Sequence, residues 1–263
     1  MESLKLLSDK MNITLSDGQL EQFDRYYHML IEKNKVMNLT AITEKDEVIL
    51  KHFVDSISAA GVVPELAASL DFTEAIGNDA SGNTKGFKTH DNTKHRISLL
   101  DVGTGAGFPG IPLKIAFPEL KITLLDSLNK RVLFLNEVIE ALGLKGITAV
   151  HDRAEDAARK PDMRGRFDIV VSRAVAALPV LAEYTIPFLK EGGHLISYKT
   201  PEAEKEVGEA ANAIRVLGGA KPHIYNLTLP DSDITRSFIV IKKTHATPKA
   251  YPRKAGTAKK NPL

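Results

Sequence analysis

Cysteine is absent from all 263 residues. Disulfides, thiolate metal sites and a cysteine nucleophile are therefore excluded. Long apolar runs are missing too: none approaches the roughly 18 residues that a membrane span needs. The opening MESLKLLSDK lacks a basic-then-apolar leader, so no export is expected and the chain reads as cytoplasmic. Its 8 histidines never fall at HxxxH or HxH spacing, so no metal is expected. No internal repeat is visible. Hydrophobic residues make up 43% and charged residues 26%, ordinary for a folded soluble domain. The length suits one sizeable α/β domain with an accessory element, expected as a monomer.

Net charge is only +2, but it is unevenly placed: the final 22 residues, KKTHATPKAYPRKAGTAKKNPL, carry +7, leaving −5 on the preceding 241. A basic tail rich in Pro and Gly reads either as a flexible arm for a polyanion or as a disordered, solubilising terminus.

Four segments are expected. Ser16-Asp17-Gly18-Gln19 has capping-box spacing, and Leu20, Phe23, Tyr27, Leu30 and Ile31 then share a helical face, which predicts a helix over 17–36. A second helix should begin near Thr43, with Val48, Ile49, Phe53 and Ile57 as its stripe. Residues 1–66 thus read as a helical cap. A span at 67–96, including the polar GNDASGNTKGFKTHDNTKHR, reads as a mobile insertion. From 97 to 244, the runs ISLLDV, KITLLD, GITAV, FDIVVS, GGHLISY and SFIVIKK alternate with helical patterns. The clearest is NKRVLFLNEVIEALG, whose Val132, Leu135, Val138, Ile139 and Leu142 line one face before Gly143. This is the βαβ signature of a doubly wound, mostly parallel Rossmann-like sheet. Residues 245–263 form the basic tail.

The glycines of LLDVGTGAGFPGIP fit two registers. Gly105, Gly107 and Gly110 make GxGxxG, the dinucleotide pattern, whereas Gly103, Gly105 and Gly107 make GxGxG, typical of S-adenosylmethionine sites. Asp101, ending the first strand, would oppose a pyrophosphate by about 1–4 kcal/mol but would favour a sulfonium and an ammonium. Asp126 ends the second strand 19 residues after Gly107, where a carboxylate can accept hydrogen bonds from ribose hydroxyls of either cofactor. Pro109 and Pro112 suit a long phosphate-binding helix poorly. A methyltransferase is favoured. An NAD-type oxidoreductase and a non-catalytic RNA-binding protein remain open as alternatives.

Without cysteine, methylation at C5 of a pyrimidine loses its usual nucleophile. FDIVV is followed by SRAVAAL rather than the Asn/Asp-Pro-Pro-aromatic loop usual for exocyclic amines. Guanine N7 has an in-plane lone pair at neutral pH, so its methylation needs positioning and electrostatics but no base. Arg173, ending the fourth strand, should enter the same cleft as Asp101, where it binds phosphate or a guanine edge, or else pairs with Asp101 or Glu155.

NLTAIT with LKHFVDSI, LLDVGTGAGFPGIPLKI, LLDSLNKR, DRAED, VVSRAVAAL and YPRKAGTAKKNPL together resemble the rRNA small subunit methyltransferase G family, also called the glucose-inhibited division protein B family. The resemblance covers nearly the whole chain apart from the insertion. It implies S-adenosylmethionine-dependent N7 methylation of a specific guanine in 16S rRNA of the small ribosomal subunit, near the decoding site. It further implies that Gly103 and Phe108 contact the donor, that Asp126 and Ser127 lie by its ribose and adenine, and that Ala154 and Glu155 flank the adenine. Arg173 matches the family's cleft arginine, and no residue is implied as a proton-transfer catalyst.

Among the remaining residues, His52 and Asp55 read as a solvated face or a local hydrogen bond. Tyr26 and Tyr27 must point to different faces, and with Tyr27 on the core stripe Tyr26 is expected at the surface. In the tail, Lys249, Arg253, Lys254, Lys259 and Lys260 are expected to neutralise RNA phosphates, with Tyr251 stacking on a base.

Overall fold

A computed structural model of the chain describes residues 1–69, 97–201 and 203–263. The polar insertion expected at 67–96 therefore lies almost wholly outside the described residues.

Helices come first: α1 (Glu2–Asp9), α2 (Asp17–Met37), α3 (Lys45–Val48), α4 (Asp55–Val62) and α5 (Pro64–Ser69), with a π-helical turn at Ile49–Val54 joining α3 to α4. The Ser16 main-chain N–H donates to Gln19 Oε1 at 2.8 Å and the Gln19 N–H to Ser16 Oγ at 3.4 Å, so the capping box forms as its spacing requires. Then follow β1 (Ser98–Val102), α6 (Gly110–Ala116), β2 (Lys121–Asp126), α7 (Asn129–Ala141), β3 (Ile147–His151), α8 (Ala154–Ala157), β4 (Phe167–Arg173), α9 (Leu178–Thr185), β5 (Leu189–Lys199), α10 (Ala203–Leu217), β6 (His223–Thr228), β7 (Thr235–Lys242) and α11 (Thr257–Lys260).

The strands form one 7-stranded sheet in the order β3-β2-β1-β4-β5-β7-β6. β1 to β5 pair in parallel, and β7 runs antiparallel to both β5 and β6. The expected alternation of strand and helix is present. Strand β6 was not expected: as an edge strand it has no buried residue, so HIYNLT shows no apolar run.

Pleating divides the strand residues between two cores. Leu99, Ile122, Leu124, Ile169, Val171, Ile196, Tyr198, Phe238 and Val240 face the cap, α6 and α7. Leu100, Val102, Leu125, Val170, Leu195, Ile239 and Ile241 face α9 and α10. Because side chains alternate along a strand, Asp101, Arg173 and Arg236 fall on the cap side with Leu99, Val171 and Phe238. This parity brings them toward one another.

Two expectations are corrected. The tail is not a free arm. Arg253 donates to buried Glu183 on α9, with Nη2–Oε2 at 2.7 Å, and Tyr251 packs against the core beneath α9 and α10. A guanidinium matched in this way to a carboxylate 1% exposed is committed to the fold. Lys249, Lys254, Lys259 and Lys260 do remain exposed.

The second correction concerns α2, whose buried residues are Phe23, Tyr26 and Leu30, while Tyr27 lies half-buried at the margin. Tyr26 is drawn inward by its polar end: the hydroxyl donates to the Ala106 carbonyl at 2.6 Å, tying the cap to the glycine loop. Tyr26→Phe should cost about 1–3 kcal/mol, because it strands a buried carbonyl. Tyr27→Phe should stay within about 0.5 kcal/mol of the parent. Urea unfolding of both variants checks this, and equal effects would contradict the assignment.

Candidate functional site

The loop after β1 turns on three glycines in left-handed conformation, Gly103 (φ 72°), Gly105 (φ 63°) and Gly107 (φ 110°). They are not equivalent. A Cβ at Gly105 would meet nothing within 4 Å, so that position borders open space, whereas one at Gly107 would lie 2.7 Å from Tyr26 Oη. The side-chain position of Gly107, a residue expected at the cofactor, is thus closed by packing beneath the cap. Gly110 is needed for close approach as well, since its Cβ would lie 2.3 Å from Leu124 Cδ2. Both sequence registers therefore have physical content: the GxGxG glycines shape the loop, and Gly110 of the GxGxxG register brings α6 onto the sheet.

Carboxylates hold the loop from below. Asp126 Oδ2 accepts the Gly105 N–H and Oδ1 the Leu128 N–H, both at 2.9 Å. Asp101 Oδ2 accepts Thr104 Oγ1 at 2.6 Å and the Gly110 N–H at 2.8 Å. Its other oxygen, Oδ1, is buried with no hydrogen-bond partner. Burial lifts the Asp101 carboxyl to about 6, against the pull of those hydrogen bonds and of Arg173. An unpaired buried acceptor is costly, and a cation or donor arriving from a ligand would satisfy it.

Across the cleft, Arg173 meets the cap. Its Nη1 donates to Asp55 Oδ2 at 2.7 Å, while Arg236 Nε donates to Asp55 Oδ1, also at 2.7 Å. Asp55 is 2% exposed. Neither partner expected for Arg173, Asp101 or Glu155, is the one it takes. His52 is likewise no surface residue: its ring stacks on Phe108 with centroids 4.6 Å apart, and Arg173 lies 5.1 Å from the same Phe108 ring. The solvated-face expectation for His52 and Asp55 fails because the π-helical turn that contains His52 and ends at Asp55 is packed onto the loop and strand ends. The one sequence signal was that both lie among stripe residues Ile49, Phe53 and Ile57, all buried.

Desolvation, with Arg173 adding to it, lowers His52 to about 4, so the ring is neutral near pH 7. Arg173 can only donate, so Nδ1, 3.3 Å from Nη2, accepts, and Nε2–H then donates to Thr40 Oγ1 at 2.8 Å. Both ring nitrogens are engaged.

Of the residues expected at the site, Gly103, Gly105, Phe108, Asp126 and Arg173 come together at the ends of β1, β2 and β4. Ser127 follows directly, its carbonyl 3.1 Å from His151 Nε2. Ala154 and Glu155 open α8 beyond β3. The Glu155 carboxylate is spent on the Gly256 N–H at 2.9 Å and on the Tyr184 hydroxyl, which leaves the turn's main chain for a ligand. Arg236, which the sequence did not single out, and Asp55, which it read as a surface residue, join Arg173 at the site. Among the described residues no cluster suited to a metal occurs, and no helix is long and apolar enough to cross a membrane.

A glycine loop above β1, carboxylates ending β1 and β2, and a reversed strand set between β5 and β6 define a Rossmann-like methyltransferase fold. The rRNA small subunit methyltransferase G family model matches residues 19–72 and 83–235. Relatives named ribosomal RNA small subunit methyltransferase G include one from Lachnoclostridium phytofermentans, 50% identical over 96% of this chain and 93% of its own. Others are from Lactobacillus johnsonii, 47% identical over 97% and 95%, and Lactococcus lactis subsp. cremoris, 46% identical over 100% and 98%. The chain belongs to the rRNA small subunit methyltransferase G family.

The pH response of the two buried groups is opposite in sign. Between pH 3.8 and about 6 the folded chain keeps a proton on Asp101 that the unfolded chain has released, so this contribution falls as pH rises. His52, lowered from 6.5 to about 4, contributes stability above pH 6.5 that is lost as pH falls. Asp101→Asn should therefore gain on the parent by up to about 3 kcal/mol as pH rises from 4 to 7, measured by denaturant unfolding. A pH-independent difference would contradict the burial of Asp101 as an acid.

Proposed function

We propose that the chain transfers the methyl group of S-adenosylmethionine to N7 of a guanine in small-subunit 16S rRNA. The carrying observation is the cleft's division of charge: acceptors at the ends of β1 and β2, two arginines at β4 and β7, and no disengaged base between them. His52 is neutral with both nitrogens occupied, so proton abstraction has no evident agent among the residues described here. Guanine N7 requires none.

When bound, S-adenosylmethionine supplies an electrophilic methyl on a sulfonium. The chain's part is positioning and electrostatics. Gly105, whose Cβ direction is open, would let the main chain approach the donor, with Gly103, packed against Val175, shaping the turn beside it and Phe108 as a wall. Asp101 Oδ1 would gain the cationic partner it lacks. Asp126 retains lone pairs beyond those used by Gly105, Leu128 and Arg131, whose Nη1 lies 3.4 Å from Oδ2, and would accept ribose hydroxyls, with Ser127 beside it. The main chain at Ala154 and Glu155 would edge the adenine. Two arginines against one Asp55 carboxylate leave a surplus positive charge, suited to phosphate and to the O6/N7 edge of guanine. Lys249, Lys254, Lys259 and Lys260 are exposed on the tail and would add positive charge for the same polyanion. Membership of the family supports the same substrate.

Calorimetric titration with S-adenosylhomocysteine and separately with NADH tests the donor assignment. The first should bind and the second should not. Gly105→Ala, which puts a methyl into the open space at φ 63°, should weaken S-adenosylhomocysteine about tenfold or more. Binding of NADH alone would overturn the reading.

A further inference from the structure

The C-terminal segment makes more contacts than a terminus needs, and they fall on α8 and the segment that follows it to Arg164. Helix α8 is a single turn of 4 residues after β3, which is itself an edge strand of the sheet. One turn does not hold its own shape, since nucleation costs more than its few hydrogen bonds return. Something lateral must fix it, and the tail supplies that. Gly256 N–H donates to Glu155 Oε1 at 2.9 Å. Arg159, just beyond α8, donates through Nη2 to the Pro252 carbonyl. Arg164 donates to the Tyr251 and Thr247 carbonyls, each at 2.8 Å.

The segment is itself clamped to α9. Arg253 Nη2 reaches Glu183 Oε2 at 2.7 Å, and the Arg253 main-chain N–H reaches Glu183 Oε1 at 2.6 Å. In α11, Ala258 is 2% exposed. Glu155 and Glu183 are both buried acids whose charges are met from the same short segment, so α8, α9 and the tail form one fastened unit.

We infer that residues 251–260 are a strap that positions the Ala154–Glu155 turn for the adenine end of the donor, with Arg253 and Gly256 as its positioning residues. This rests on the cofactor reading given under Proposed function. The strap acts before any RNA arrives, because its contacts are internal to the chain. Its exposed lysines can meet phosphate independently.

The test separates these roles. One variant deletes residues 251–263 and carries Glu183→Leu, so that Glu183 is not left as an unpaired buried charge, while Glu155 keeps the Tyr184 hydroxyl. A second keeps the full chain with Glu183→Leu and Arg253→Met, in case the truncated chain does not fold. A third replaces Lys249, Lys254, Lys259 and Lys260 with Gln. Affinity for S-adenosylhomocysteine should fall about tenfold or more in the first two, as expected when a preorganised subsite loosens. Amide exchange over residues 153–157 should accelerate in them, while the lysine variant should keep both properties of the parent. Folded strap variants with unchanged affinity would overturn the inference, and so would an equal loss in the lysine variant. Failure of the parent chain itself to bind S-adenosylhomocysteine would instead sink the cofactor reading, and the strap's proposed role with it.

Discussion

Asp55 sits where two arginines from different strands reach the helical cap, and its carboxylate is the point at which cap and sheet are electrostatically joined. Arg173 ends β4 and Arg236 stands near the start of β7. Without an acid between them the two guanidinium groups would be left with like charge and no shared partner. Removing one member of such a buried group typically costs about 3–5 kcal/mol, because the remaining charges lose their partner without regaining water. The arrangement follows from two simple periodicities. Strand pleating puts Arg173 and Arg236 on the cap side, and the wide turn at Ile49–Val54 delivers His52 and Asp55 onto it.

From that junction the cleft acquires opposite electrostatic ends. Asp101 and Asp126 lie under the glycine loop at the ends of neighbouring strands, and Asp101 keeps an oxygen without a partner. The arginines face them from the other side. On the proposed function, a donor carrying positive charge and an acceptor attached to a polyanion would each be met by the complementary sign, in a setting where burial strengthens both attractions. His52 adds no charge of its own. Held neutral, it serves as a flat partner for Phe108 and as a link from Thr40 to Arg173.

Strands with concentrated apolar runs, the capped helix α2 and the glycine loop were legible in the sequence because local pattern determines them. So were Asp126 and Arg173, which sit at strand ends that the βαβ alternation already places. Strand β6 was not, because an edge strand with no buried residue carries little apolar signal. Helical phase put Tyr27 rather than Tyr26 on the core stripe of α2; the Ala106 carbonyl, 80 residues away in sequence, draws Tyr26 inward instead. His52 and Asp55 were read as surface because a polar pair on a helix normally is, and their partners lie on β4, β7 and the glycine loop. The tail was misjudged for a related reason: its composition is that of a disordered arm, but Glu183 and Glu155 are buried acids waiting for it, and nothing local in either sequence announces the other.

The account is tested most directly by supplying the purified chain with labelled S-adenosylmethionine and small ribosomal subunits from cells that lack this methylation, then locating the labelled nucleotide and the labelled atom. One guanine in 16S rRNA should carry the label at N7, and Arg236→Met should abolish incorporation while leaving affinity for S-adenosylhomocysteine intact. Label on an exocyclic amine or a pyrimidine carbon, or undiminished transfer by Arg236→Met, would contradict it.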